Sequence, residues 1–218
     1  MSIFLLSATN SPNKDLKIKL ASEIKKRGRK IAYISSAPQD KQKIRFFETV
    51  KEYQDIDPLI ILKYFDLGEK FTDKDLLNIL DFKIIYLSGG NTFGLLNYIN
   101  KRNFGKILKT HLSNNGLLIG ASAGSIVLTP NINVCNLPEI DENLVNIKDL
   151  TALNLVNFEF YPHFAGNKEY LEEIKKYSKT INNPVYVCSD EDGIFVDNQK
   201  VEILNNIIKV ETEKIIKS

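Results

Sequence analysis

The 218-residue chain contains no tryptophan, one methionine, two histidines and two cysteines. Each scarcity removes a class of explanation. Cys135 and Cys188 lack the paired spacing of metal ligands, which argues against a zinc or iron–sulfur module, and their positions indicate no disulfide framework. No apolar run approaches the roughly 18 uninterrupted residues needed to cross a bilayer. The opening Met1-Ser2-Ile3-Phe4-Leu5-Leu6-Ser7 has no basic stretch ahead of its apolar one, so it fits a first buried strand better than a signal peptide. A cytoplasmic, reduced location is the expectation.

An excess of charge of one sign is missing too. The formal net charge is +2, and Lys and Glu are spread along the chain. Counterion release needs a clustered basic face, so neither nucleic acid nor a membrane is an expected partner. The short run Lys25-Lys26-Arg27-Gly28-Arg29-Lys30 suits a helix end, where cations answer the helix dipole. Hydrophobic residues make up 43%, enough for one sizeable core without staples, and a single domain over 1–218 is expected, as a monomer or homodimer.

What is present is an alternation. Short apolar runs at Ile3–Leu6, Ile31–Ile34, Leu59–Leu62, Ile84–Leu87 and Leu117–Ile119 are too short for buried helices and are flanked by polar or Gly/Pro residues. Their near-continuous hydrophobicity suits strands covered on both faces. Helical patterns lie between them at Lys14–Arg27, Lys41–Tyr53, Asp73–Leu80 and Thr92–Asn114, the last broken near Gly105. The expected fold is α/β and doubly wound, a mostly parallel sheet with helices on both faces. Beyond Thr129 the pattern weakens into an excursion over Asn131–Leu150. A strand at Val156–Phe160 and a helix at Lys168–Thr180 come next. Short antiparallel edge strands are expected at Val185–Cys188, Ile194–Val196, Val201–Leu204 and Ile207–Val210.

Gly120-Ala121-Ser122-Ala123-Gly124 stands between an apolar strand and a helix. A nucleophile elbow needs small neighbours of this kind, because its serine occupies a strained turn above the sheet edge. Ser122 is the candidate nucleophile, with the Ala123 N–H aimed at a developing oxyanion. The bland reading makes Ser122 a helix cap. Ser125 would already lie inside the helix. A second strand ends in Ser88-Gly89-Gly90-Asn91-Thr92, and glycine there lets the backbone approach a ligand, making Gly90 the second oxyanion donor. Asn91 is grouped with it as a substrate-binding candidate, against the alternative of a helix cap.

A serine nucleophile needs a base. His163 follows a strand in Phe160-Tyr161-Pro162-His163-Phe164, whereas His111 falls in a helical pattern and is expected on the surface. The third member is a carboxylate, and the turn Ser189-Asp190-Glu191-Asp192-Gly193 offers three.

These segments together resemble the peptidase E (aspartyl dipeptidase, S51) family, whose fold is similar to that of class I glutamine amidotransferases. The resemblance rests on Ser88-Gly89-Gly90-Asn91-Thr92-Phe93-Gly94-Leu95-Leu96, Gly120–Gly124, Val156-Asn157-Phe158 with Pro162-His163-Phe164, and the acidic turn, in the family's order across most of the chain. It implies a Ser–His–Glu site with Glu191 as the acid, Asp190 and Asp192 being substitutes. It also implies a short peptide substrate cleaved near its amino end, without metal or cofactor. The family's activity-linked aspartate after the nucleophile has no counterpart in Cys135-Asn136-Leu137-Pro138-Glu139-Ile140-Asp141, where Glu139 or Asp141 would have to stand in. The resemblance therefore implies hydrolysis without implying preference for an amino-terminal Asp. Rival readings are a cyanophycinase-like β-aspartyl hydrolase, an α/β-hydrolase esterase using Asp141 or Asp149, and a non-catalytic small-molecule-binding relative.

Overall fold

A computed structural model describes residues 1–9, 12–35, 39–68, 72–138 and 140–217, and the elements below are those of the described residues. The chain opens with β1 (Ser2–Leu6), α1 (Lys14–Arg27), β2 (Lys30–Ser35), α2 (Gln39–Ile56) and β3 (Ile61–Asp66). It continues with α3 (Asp73–Asn78), β4 (Ile84–Leu87), α4 (Thr92–Lys101), α5 (Phe104–Ser113), β5 (Leu117–Ala121) and α6 (Ala123–Ile126). The last part holds β6 (Glu159–Tyr161), α7 (Lys168–Ser178), β7 (Val185–Val187), β8 (Gly193–Asp197), β9 (Lys200–Leu204), β10 (Ile208–Glu211) and β11 (Lys214–Lys217).

The main sheet runs β3-β2-β4-β5-β1-β8-β9. The first five strands of that order are parallel, and β8 and β9 close the far edge antiparallel. Buried β-branched and leucine residues fill the central strands because both faces are covered. One face packs the aromatic cluster of Tyr33, Tyr53 and Tyr86 with Leu16 and Leu20 of α1. The other packs Phe93, Leu96, Phe104 and Leu108 of α4 and α5. No helix among the described residues is long and apolar enough to cross a membrane.

The expected α/β architecture is present, with three local differences. The α4–α5 break, expected near Gly105, is placed by the structure at Arg102-Asn103, where Asn103 takes φ 51°. The late strands do not all join the sheet edge: β11, β10, β7 and β6 form a separate sheet of four, with β6 and β7 parallel. His111 is buried (3% exposed) against the Leu117 carbonyl at 3.0 Å, so it is a packed core histidine instead of a surface one. The basic run at the end of α1 is held by carboxylates, with Arg27 on Glu23 at 2.6 Å and Arg29 on Asp57 at 2.5 Å.

Glu159 of β6 is fully buried. Its Oε1 accepts from the Asn131 amide at 2.8 Å, while Oε2 is enclosed without a partner. Burial pushes this carboxyl up from 4.5 to about 7. The folded state thus holds a proton that the unfolded chain has released, and stability falls as pH rises from about 4.5 to about 7. Glu159→Gln should stabilise the protein by about 1–3 kcal/mol at pH 8 and by little at pH 4.5. Urea melts at the two pH values check this, and a gain that is equal at both would refute it.

Candidate active site

Ser122 sits between the end of β5 and the start of α6 with φ 52° and ψ −116°, a conformation that L-residues rarely adopt. The neighbours make it tolerable. A Cβ at Gly120 would lie 2.4 Å from the Gly124 carbonyl oxygen, and one at Gly124 would lie 2.1 Å from that of Leu87. Both positions therefore admit no side chain, and α6 presses directly on β4 and β5. The Ser122 N–H donates to the Leu6 carbonyl at 2.9 Å, and the Ser125 hydroxyl donates to the same oxygen at 2.8 Å. Ser125 is thus a buried strut of the elbow, inside α6 as expected.

The hydroxyl of Ser122 stands 2.8 Å from His163 Nε2. His163 follows β6 in a left-handed backbone conformation, φ 61°. Its N–H donates to Ser7 Oγ at 2.7 Å, and Phe164 N–H donates to the Cys188 carbonyl at 2.9 Å. Ser7, fully buried just past β1, positions the histidine backbone. Sequence reasoning passed over it, although the rule that strand carboxyl ends build sites applies to β1 as well as to β4 and β5.

On the other side of the ring, Nδ1 lies 2.5 Å from Asp190 Oδ1. A carboxylate at Nδ1 fixes the proton there in the neutral ring, which leaves the Nε2 lone pair free to accept from Ser122. The structure brings Asp190, one of the two expected substitutes, to the histidine in place of Glu191. The cause is the phase of the turn. Asp192 is buried and folds back, accepting from Ser189 N–H at 2.6 Å, the Ser189 hydroxyl at 2.9 Å and Asn205 at 2.7 Å. The Glu191 carbonyl accepts from Asn13 N–H at 3.2 Å and from the Asn13 amide at 2.8 Å, while the Glu191 side chain is exposed. Asp190 is the acid left facing the ring.

Asn91 is committed elsewhere. Its Oδ1 accepts from Gly94 N–H at 2.9 Å and its amide donates to the Glu142 carbonyl at 2.8 Å, so its side chain caps α4. Gly89, one residue before Gly90, is the glycine that touches the nucleophile: a Cβ there would lie 3.3 Å from Ser122 Cβ. Gly90 turns the chain into α4 at φ 137°. Ala123, buried, follows Ser122 as the first residue of α6. Asp141 accepts from Thr92 N–H at 2.9 Å and from the Thr92 hydroxyl at 2.6 Å; burial raises its carboxyl above the ordinary range, and its work is at the start of α4. Asp149 accepts from Thr151 N–H at 2.9 Å. Neither is the acid on His163, which removes the geometric basis of the esterase reading. Glu139 lies outside the described residues.

Ser122, His163 and Asp190 open on a cleft of about 540 Å³. Part of its wall is α2, which contributes Arg45, Glu48, Thr49 and Glu52. Sequence reasoning assigned these residues to an amphipathic helix and to nothing more. The cleft can bring a small acyl compound to a serine that already has a base and an oriented ring.

The profile of peptidase family S51 matches residues 3–204. The chain belongs to this family. It is 32% identical over 128 residues to the uncharacterized peptidase PM1590 of Pasteurella multocida (strain Pm70), a match covering 57% of this chain and 60% of that protein. It is 24% identical over 176 residues to the peptidase E of Nostoc sp. (strain PCC 7120), covering 75% of this chain and 71% of that one. Among solved structures, a protein of Listeria monocytogenes EGD-e provisionally assigned to peptidase E shares the fold. Its TM-score is 0.72 at 24% identity, over 93% of this chain and 96% of the other.

The close contact at the elbow gives a direct test. Gly124→Ala should cost about 3 kcal/mol or more, because the obstructing Leu87 carbonyl is backbone and cannot swing away. Gly94→Ala in α4, where the nearest atom is 3.5 Å distant, should be neutral or slightly stabilising. Thermal melts of the two variants compare them, and equal effects would mean that the elbow is not packed this tightly.

Proposed function

We propose that the protein is a serine peptidase of short peptides, a dipeptidase or amino-terminal exopeptidase, acting through Ser122, His163 and Asp190. The observation that carries this reading is the pair of hydrogen bonds on one imidazole, Ser122 Oγ at Nε2 and Asp190 at Nδ1. Membership of peptidase family S51 supports the choice of peptide bonds over other acyl substrates.

In the proposed reaction His163 Nε2 takes the Ser122 proton as Oγ bonds to the peptide carbonyl carbon, and the carbonyl electrons move onto oxygen. The N–H groups of Ala123 and Gly90 serve as donors to that oxyanion. Asp190 keeps the ring in the right tautomer and stabilises the imidazolium. Collapse of the tetrahedral species breaks the C–N bond, with the Nε2 proton passing to the leaving amine. Water, deprotonated by His163 in turn, then attacks the ester and releases the acid, restoring Ser122. The strained elbow keeps Oγ in this position before substrate arrives, so little reorganisation is required at the moment of attack.

The test is hydrolysis of a panel of Xaa-Leu dipeptides with α-Asp, β-Asp and neutral first residues. Ser122→Ala should lower kcat/KM by at least about 10³-fold, and Asp190→Asn by about 10²–10⁴-fold. Glu191→Gln should stay within a few-fold of wild type. Full activity in Ser122→Ala would end the proposal, and a loss in Glu191→Gln that exceeds the loss in Asp190→Asn would return the third position to Glu191.

A further inference from the structure

The wall of the cleft formed by α2 has a pattern of its own. Residues 45, 48, 49 and 52 are spaced i, i+3, i+4 and i+7, so they share one face of α2, and all four line the cleft. Along that face the charge reverses, from Arg45 at one end to Glu48 and Glu52 at the other. A helix face turned toward a protein interior is ordinarily apolar. This one is polar because it faces the cleft.

Arg45 stands at the nucleophile end. A Cβ at Gly89 would lie 3.3 Å from Ser122 Cβ and 3.8 Å from Arg45 Nη1, so serine and guanidinium border the same small space. Among the described residues the Arg45 guanidinium makes no direct ion pair; it acts at longer range on the Asp141 carboxylate and the Tyr33 phenol, and its backbone carbonyl accepts from the Thr49 hydroxyl at 2.8 Å. Glu52 stands at the other end, beside Thr9 and Tyr86. Its Oε2 is closed off from solvent and has no hydrogen-bond partner. Burial raises its carboxyl above the ordinary range, a hydrogen bond from Thr9 opposes the rise, and Glu48 and Asp55 add to it, so a cation placed beside this carboxyl would offset the cost that remains.

Resting on the peptidase reading, we propose that this face of α2 recognises the two ends of a dipeptide: Arg45 holds the free carboxylate of the leaving residue, and Glu52 with Glu48 holds the free ammonium of the residue that acylates Ser122. The dimensions agree. Two extended residues span about 7 Å, and residues seven apart on a helix are separated by about 10.5 Å of rise, a difference that the arginine and glutamate side chains bridge by leaning inward. A guanidinium suits a carboxylate because it can donate two parallel hydrogen bonds. A longer peptide would have an uncharged peptide bond in place of the carboxylate, and a blocked amino end would leave Glu52 unanswered.

The experiment uses the full chain and two readouts: kcat/KM for four peptides, and the ability of the same peptides to slow fluorophosphonate labelling of Ser122. The peptides are Ala-Leu, Ala-Leu amide, N-acetyl-Ala-Leu and Lys-Leu. Wild type should prefer Ala-Leu over both blocked forms by about 10-fold or more. Arg45→Met should bring the acid-to-amide ratio near one while the free-to-acetyl ratio persists, and Arg45→Lys should restore part of the first ratio. Glu52→Gln should do the reverse. This crossed pattern is one that general damage to the fold does not produce, and the wild-type ratios alone test the idea if a variant fails to fold. Equal use of blocked and free peptides by wild type, with Ser122 labelled, would overturn the terminus assignment and leave the peptidase reading standing. A preference for Lys-Leu that survives acetylation would also overturn it, by assigning Glu48 and Glu52 to a basic side chain. Absence of both labelling and hydrolysis would overturn the peptidase reading and this assignment with it.

Discussion

The carboxyl edge of the main sheet is organised by how closely α6 approaches β4 and β5. Gly120 and Gly124 remove the two side chains that would hold them apart, and the Leu6 carbonyl accepts from both Ser122 and Ser125, fastening the elbow to β1 as well. Three neighbouring strands are thereby tied to one short helix. The unfavourable φ of Ser122 is the outcome of that arrangement, and such strain persists only where the surroundings over-determine it. A looser contact would let the serine relax into an ordinary helix cap, and its hydroxyl would leave the line to His163.

The partner groups reach this serine from a different sheet. His163 follows β6 and Asp190 follows β7, two strands that pair in parallel in the smaller sheet, so imidazole and carboxylate are held side by side by a common register. Ser7 joins the two halves, since it extends from β1 of the main sheet and accepts from the His163 backbone. The same logic extends to α2, which lines the cleft together with these residues. Ser122, His163 and the α2 wall thus come from three separate layers, and the cleft is the space that they leave.

Much of this was legible in the chain because it depends on period and punctuation. Alternating apolar runs and amphipathic segments revealed the parallel sheet, and small residues around Ser122 revealed the elbow. The position of His163 after a strand set it apart from His111. What escaped was decided at the scale of one residue. Asp190 and Glu191 both carry a carboxylate, and which one meets the ring depends on the direction of the turn, held by Asp192 binding Ser189 three residues back and Asn205 thirteen residues on. Asn91 carries the same chemistry whether it caps a helix or meets a ligand, and its partners, Gly94 and Glu142, decide between them. The smaller sheet was missed because β6 and β7 are three residues each, too short for a period to declare a separate layer.

The sequence separation of the contacts around β1 has a bearing on how the protein comes to be folded. β1 lies between β5 and β8, Asn13 reaches Glu191, and Ser7 reaches His163 and Cys188. The start of the chain is therefore stitched to segments made some hundred and more residues later, and such distant closures carry a large entropic cost that slows folding. On the ribosome β2, β3 and β4 can pair early, whereas the elbow is fastened only after β5 arrives, and the histidine and its acid still later. Ser122, His163 and Asp190 would thus be brought together only near the end of synthesis, after the strands that carry all three have been made.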